Sequence, residues 1–546
     1  MPDNTSKPSE SSDPVDPPQN PSDSTKAKWT VMVYLAGDNN LADECVFALT
    51  EMKAAMIDPS VNVVAQFDPT ARRLKTKRFV LNRTLHENKN GNGSNGKPVS
   101  GINSEAWRHR KSIIDDVVPE GLPEGRTRFR DAPAKRGEGI VNQRGGVGVA
   151  TATAPAVEDE SDTDSGDPKL LFDFISWTVD NYPADHYMVI LSGHGSGVLE
   201  QEFLRDETSR GTLTIKELGE VFTAVKEKVT DKAGKPVMID IVGFDSCVMG
   251  MAEICYELAG TVKYMVSSES FSPQTGWPYG RIVQRLSDSL KVAKAATSPE
   301  ELGRMAVDEH VDFYLDYAEA NGLSVDLSLL DVEKITALVE TDVSNLAEVL
   351  KAALNKGERE FLDQIVLAHW EAQSYNGELY VDLRDFCDCL RARYGDPEEA
   401  NSTEIGDRAS VYQACTEVIN RIDHELVKQS CYMGVIFQYS FGVSIYFPWA
   451  EVAPDYSKEE LKFIDKSGWR GFLEEYVKET RRKPRGYQPV TDGAPLMSLE
   501  ANIRKTITDQ KGPANILIRS MRNPPIEVVE DGLSDCTKVR LGIKKR

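Results

Sequence analysis

No stretch of the 546-residue chain approaches the roughly 18 consecutive apolar residues that a bilayer-spanning helix requires, so a membrane partner is not expected. Basic residues are outnumbered: 64 Lys and Arg stand against 86 Asp and Glu, and the net charge of −22 repels phosphate backbones and argues against nucleic acid. Cysteine is sparse. The 8 present are too few for a disulfide scaffold, and most sit in apolar runs as buried free thiols would. Cys387-Asp388-Cys389 lacks the second ligand pair of a zinc knuckle and reads as structural. The start of the chain has no apolar signal-peptide core; residues 1–28, rich in Pro, Ser and Asp, read as a disordered leader. Localisation is therefore unassigned, cytoplasmic by default, with secretion open if a signal was trimmed.

The chain does contain 40% hydrophobic residues, enough for one large or two ordinary cores. From Trp29 a run of β-formers ends at Gly37-Asp38-Asn39-Asn40, residues 41–57 carry apolar side chains at helical spacing, and residues 61–67 repeat the strand pattern. Strand, helix, strand predicts a parallel sheet with helices on its faces. The pattern lapses over 88–167, read as a long mobile insertion. It resumes with helices over 170–179, 215–225 and 249–258 and strands over 187–191, 237–242 and 263–267. Residues 29–297 form the expected core. Residues 298–480 read as mainly helical, with a late strand over 442–448 that could return to the sheet, and 481–546 as a C-terminal extension with two possible strands, over 514–519 and 526–529.

Two of these strands end in small, polar turns. The first carries Ser192-Gly193-His194-Gly195, and the second Phe244-Asp245-Ser246-Cys247. In a parallel sheet both turns lie at the same edge, so residues 53 apart (247 − 194) can face each other across a cleft. A cysteine at the start of a helix and beside an imidazole would be held as thiolate, which makes it a nucleophile. The N–H groups of Gly195 and Cys247 would then face the oxyanion of a tetrahedral intermediate. The bland alternative is a buried thiol and an incidental histidine.

Those motifs, with residues 29–40, Ser267-Ser268-Glu269, Gly276-Trp277-Pro278-Tyr279 and residues 442–448, resemble the clostripain family, of the same clan as caspases, legumains, gingipains and separase. The resemblance implies a caspase-like α/β/α sandwich with a mostly parallel central sheet, and a cysteine endopeptidase working by a His194/Cys247 dyad with no obligatory third member. It implies Gly195 as oxyanion partner. Asp245 matches the position that lines the primary specificity pocket, so the expected preference is Arg or Lys on the acyl side of the cut bond, in a peptide or protein substrate. The plain alternative for Asp245 is a helix cap; Glu269 is a second pocket candidate or a solvated strand-end residue.

The resemblance also implies self-activation by cleavage after a basic residue between His and Cys, where Arg205 and Arg210 lie. The basic stretch 126–136 offers further sites. No cofactor is required for the chemistry. Calcium is left open, since Asp38-Asn39-Asn40 and Asp43 have suitable donors, although a turn and a helix cap also explain them. The rival readings are a catalytically inactive caspase-like scaffold or binding protein, and a Cys-dependent amidase or acyltransferase.

Overall fold

The computed structural model describes residues 26–69, 76–81, 163–199, 202–293, 297–321, 324–357, 359–394, 406–434, 436–457 and 459–481. The expected insertion, apart from its last five residues, lies outside these residues. So do the basic stretch 126–136, nearly all of the leader and all but Arg481 of the C-terminal extension.

The apolar runs become strands because they are buried on both faces. β1 (Ala27–Gly37) sends Val31, Val33 and Leu35 into one core and Met32 and Tyr34 into the other, the alternation that a pleated strand imposes. β1 pairs in parallel with β2 (Val61–Pro69) on one side and β4 (Ala184–Ser192) on the other. β5 (Ile239–Asp245) and β6 (Val262–Ser267) continue the parallel set beyond β4. Three antiparallel strands flank it: β3 (Lys77–Val80) on β2, and β7 (Val325–Asp331) followed by β10 (Val427–Met433) beyond β6.

The 8-stranded sheet has the order β10-β7-β6-β5-β4-β1-β2-β3. Helices Ala42–Ala54, Tyr279–Ala293 and Pro299–Asn321 cover one face, and Pro168–Asn181, Ile215–Lys228 and Ala252–Glu257 the other. This is the α/β/α sandwich expected from the sequence. Its chain leaves β1 toward β2 and returns to β4 on the opposite side of β1. The carboxyl ends of β1 and β4 therefore flank the topological switch point, where open α/β sheets form their crevice.

Several expectations need correction. β1 starts at Ala27, inside the proposed leader, with the Ala27 N–H bonded to the Pro183 carbonyl. The region after residue 298, expected to be mainly helical, also supplies two strands, β7 and β10, that complete the main sheet. The late strand does not return there. β11 (Ser444–Tyr446) joins a separate 3-stranded sheet with β9 (Tyr380–Asp382) and β8 (Ser374–Tyr375). The helix expected over 249–258 is only the 6-residue Ala252–Glu257, because Met251 is extended, at φ −113° and ψ 146°, and bridges to Ser444. Cys387 and Cys389 are both buried, and no group of three His, Cys, Asp or Glu that could hold a metal occurs among the described residues.

Candidate active site

β4 and β5 are parallel neighbours with Ser192 opposite Asp245, so the turns that follow them emerge side by side. The Gly193 N–H donates to the Asp245 carbonyl at 3.3 Å. A Cβ built on Gly195 would stand 2.5 Å from the Cys247 carbonyl oxygen and 3.0 Å from its nitrogen, so only glycine lets the two turns touch. His194 and Cys247 thus ride on adjoining turns at one sheet edge. Among the free cysteines of the described residues, Cys247 alone is not fully buried. Neither the Gly195 nor the Cys247 N–H donates a hydrogen bond within the described residues.

The imidazole is oriented from β1. His194 Nε2 lies 2.6 Å from Oδ1 of the exposed Asn40, just past the β1 end. Burial lowers the His194 pKa below the ordinary imidazole value, with Glu202 and Glu207 pulling it back up and Arg205 adding to the fall. Burial also raises the Cys247 thiol above its ordinary value, and the Asp245 charge adds to that rise. The Cys247 Sγ donates to the Ser272 carbonyl at 3.8 Å.

The helix that was to stabilise a thiolate begins five residues beyond Cys247 (252 − 247), outside the reach of a terminal dipole. Burial disfavours the charged form of both His194 and Cys247. A β-branched residue in the left-handed region, as at Val248, costs about 1–3 kcal/mol and persists only where its surroundings hold it. Here the Val248 N–H donates to the Ser270 carbonyl at 2.8 Å and the Gly250 N–H to that of Ser268 at 2.7 Å.

Asp245 is the last residue of β5 and is buried rather than serving as a helix cap. Its Oδ2 accepts from the Tyr279 hydroxyl at 2.6 Å and the Ser192 hydroxyl at 3.1 Å, while Oδ1 is buried with no partner in hydrogen-bond geometry. Burial raises its pKa, and the Tyr279 hydroxyl, the nearby Trp277 backbone and the Ser192 hydroxyl lower it. Gly276, at a φ of +70°, passes so close that a Cβ would meet Oδ2 at 2.7 Å.

Glu269 is fully buried, so it is not a solvated strand end. Its Oε2 accepts from the Gly442 N–H at 2.7 Å, and burial, then the charges of Asp382 and Asp326, raise its pKa.

Arg205 and Arg210 are both exposed, in the segment that follows His194. That segment is tied to the site: the Leu204 N–H donates to the His194 carbonyl, Asn39 Nδ2 to the Arg205 carbonyl at 2.8 Å, and the Glu207 N–H to the Asp38 carbonyl. Asn39 also accepts from the Leu41 N–H, and Asn40 is engaged with His194. The amides offered as calcium donors are therefore occupied by the fold, and Leu41, the residue at the helix cap, caps with no side chain. Sequence reading missed Asn40 and Tyr279 as site residues. Both lie in motifs that carry the family resemblance, and the signal for Asn40 was its place at a strand end on the same edge as His194.

A model of the clostripain family of peptidases, C11, matches residues 33–475. The clostripain of Hathewaya histolytica is 24% identical over 399 residues, which cover 66% of this chain and 65% of the relative, so the chain spans under two thirds of that curated relative's length. Among solved structures, a secreted C11 cysteine protease of Bacteroides thetaiotaomicron in complex with an irreversible peptide inhibitor is 16% identical, with a TM-score of 0.46, covering 81% of this chain and 99% of the other. An inactive zymogen C11 protease of Parabacteroides distasonis is 15% identical, with a TM-score of 0.44, covering 83% and 99%.

Proposed function

The chain belongs to the clostripain family, and from that premise we propose that it is a cysteine endopeptidase in which His194 and Cys247 act as a dyad and Asp245 selects Arg or Lys on the acyl side. The observation that carries this reading is the contact of Gly195 with the Cys247 backbone, which sets an accessible thiol on the turn adjoining that of an oriented imidazole.

Asn40 Oδ1 accepts a hydrogen bond from Nε2–H, which leaves Nδ1 as the basic nitrogen. The thiol proton moves to Nδ1 as Sγ bonds to the peptide carbonyl carbon, and the unbonded N–H groups of Gly195 and Cys247 face the developing oxyanion. The imidazolium returns that proton to the leaving amine. Water, deprotonated by His194, then hydrolyses the thioester. The buried Asp245 with its free Oδ1 supports a guanidinium or ammonium partner, because an unpaired carboxylate there is costly and a cation relieves it. Self-cleavage in the 202–211 segment belongs to the same reading.

Fluorogenic peptides ending in Arg, Lys and neutral residues test it. Hydrolysis of the basic ones alone, lost in Cys247→Ala, is the expected result. Equal hydrolysis of neutral peptides would overturn the pocket assignment, and activity in Cys247→Ala would overturn the dyad.

A further inference from the structure

β7 runs against the five parallel strands, so its first residues stand at the edge where those strands end. Ser267 at the end of β6 pairs with Ser328, and Asp326 lies beyond that pair, beside the chain that leaves β6. There its buried carboxylate collects four donors from three consecutive residues. Oδ1 accepts from the Ser268 hydroxyl at 2.9 Å, the Ser270 N–H at 3.2 Å and the Ser270 hydroxyl, and Oδ2 from the Glu269 N–H at 2.8 Å.

The same segment faces the nucleophile turn with its carbonyls. Ser268 takes the Gly250 N–H, Ser270 the Val248 N–H, and Ser272 the Cys247 thiol. A Cβ on Gly250 would meet the Ser268 carbonyl oxygen and the Glu269 nitrogen at 2.9 Å, so the two turns are in backbone contact. The segment therefore places four donors of residues 268–270 on Asp326, while the carbonyls of Ser268, Ser270 and Ser272 accept from residues 247–250 and the Ser272 hydroxyl donates to the Ser246 carbonyl at 3.3 Å. The positive φ of Val248 needs such a clamp.

We propose that Asp326 is a positioning residue of the site. Through Ser268 and Ser270 it fixes the turn that aims Cys247 at His194. It touches neither substrate nor reacting atoms. The proposal rests on the dyad reading above and adds to it a specific coupling between Asp326 and proton transfer. Losing a buried acceptor of four donors relaxes the segment, so the thiol is presented less often in transfer geometry, while the Asp245 pocket on β5 is untouched.

The test is a double-mutant cycle on the full chain, read as the rate of Cys247 alkylation by iodoacetamide at neutral pH and, separately, as kcat and KM on an Arg peptide. Asp326→Asn is expected to lower kcat roughly tenfold or more with KM unchanged, and to slow alkylation. In the His194→Ala background it is expected to slow alkylation no further, because base assistance is already gone. The Ser268→Ala/Ser270→Ala variant, which keeps Asp326 and removes two of its donors, should behave the same way and serves where Asp326→Asn does not fold. Alkylation and kcat at wild-type levels with only a lower melting temperature, or an equal slowing in the His194→Ala background, would overturn the proposal. A wild-type chain that cleaves no peptide would sink the peptidase reading, while the alkylation cycle would still decide the role of Asp326.

Discussion

Asn40 Oδ1 and His194 Nε2 lie 2.6 Å apart across the junction of β1 and β4, the point where the strand order of the sheet reverses. That bond fixes the tautomer and the ring plane of the imidazole, so Asn40→Ala should reduce kcat by roughly ten- to hundredfold and leave KM for an Arg peptide nearly unchanged. Asn40→Asp replaces a neutral acceptor by a charge and should raise the His194 pKa, moving the acid limb of the kcat/KM profile to higher pH. An unmoved acid limb in Asn40→Asp would show that the bond does not form in solution.

Burial moves the pKa values of the two proposed dyad groups in opposite directions, His194 down and Cys247 up. An imidazole with a lowered pKa stays neutral, and thus basic, to a more acidic pH than a free one. Activity should therefore persist below the ordinary histidine range and fall only as His194 protonates. In His194→Ala, Cys247 alkylation should rise only above the ordinary thiol range, since nothing then stabilises the thiolate. A plateau of rapid alkylation extending into acid in the wild-type enzyme would instead reveal a thiolate and imidazolium pair.

The meeting of the His194 and Cys247 turns was legible because apolar runs ending in Ser-Gly-His-Gly and Asp-Ser-Cys mark parallel strand ends, and topology alone then puts both at one edge. The helical span after residue 298 concealed β7. Its sequence Val325-Asp-Leu-Ser-Leu-Leu-Asp331 alternates as a strand does, but it sits between helices whose periodicity dominates a long window. Missing β7 meant missing Asp326. The helix expected at Cys247 failed because nothing in the valine side chain signals a positive φ, and tertiary hydrogen bonds, from Val248 to Ser270 and from Gly250 to Ser268, hold the turn there. The partners of Asp245 were invisible for another: Tyr279 is 34 residues away, and only the fold brings it to the carboxylate.

Burial raises the pKa of Asp245 above that of a surface aspartate. A bound guanidinium favours the ionised form, so KM for Arg peptides should fall as pH rises through that raised pKa, whereas a neutral peptide should show no such limb. Tyr279→Phe removes a donor to the ionised form and should push the pKa higher, shifting the limb upward and raising KM roughly tenfold. Asp245→Asn should erase the preference for basic peptides by about two orders of magnitude in kcat/KM. A basic preference that survives Asp245→Asn would assign the pocket to another group.

At Gly195 the constraint is space. A Cβ 2.5 Å from the Cys247 carbonyl oxygen must push the turns apart, so Gly195→Ala should cost roughly hundredfold or more in kcat although the N–H remains. Gly234 has a positive φ of 76° but no atom within 4 Å of the place its Cβ would take, so Gly234→Ala should cost about 1 kcal/mol of stability and no activity. Full activity in Gly195→Ala would mean that the two turns do not meet closely enough to matter.

The two candidate cleavage sites differ in how they are held. The Arg205 carbonyl is bound by Asn39, and its neighbour Leu204 is bonded to His194 and buried, so the bond after Arg205 is anchored to the site. Arg210 is exposed, and its φ of 65° is a strained conformation that chain scission would relieve. Cleavage at Gly211 should therefore precede cleavage at Asp206, and mass spectrometry of the wild-type enzyme over time reads the order. Arg210→Gln should remove the earlier product and Arg205→Gln should leave it, with Cys247→Ala remaining a single chain. A first product beginning at Asp206 would show that the segment leaves its Asn39 anchor before it is cut, which would make release of that anchor, rather than backbone strain, the step that sets the order of processing.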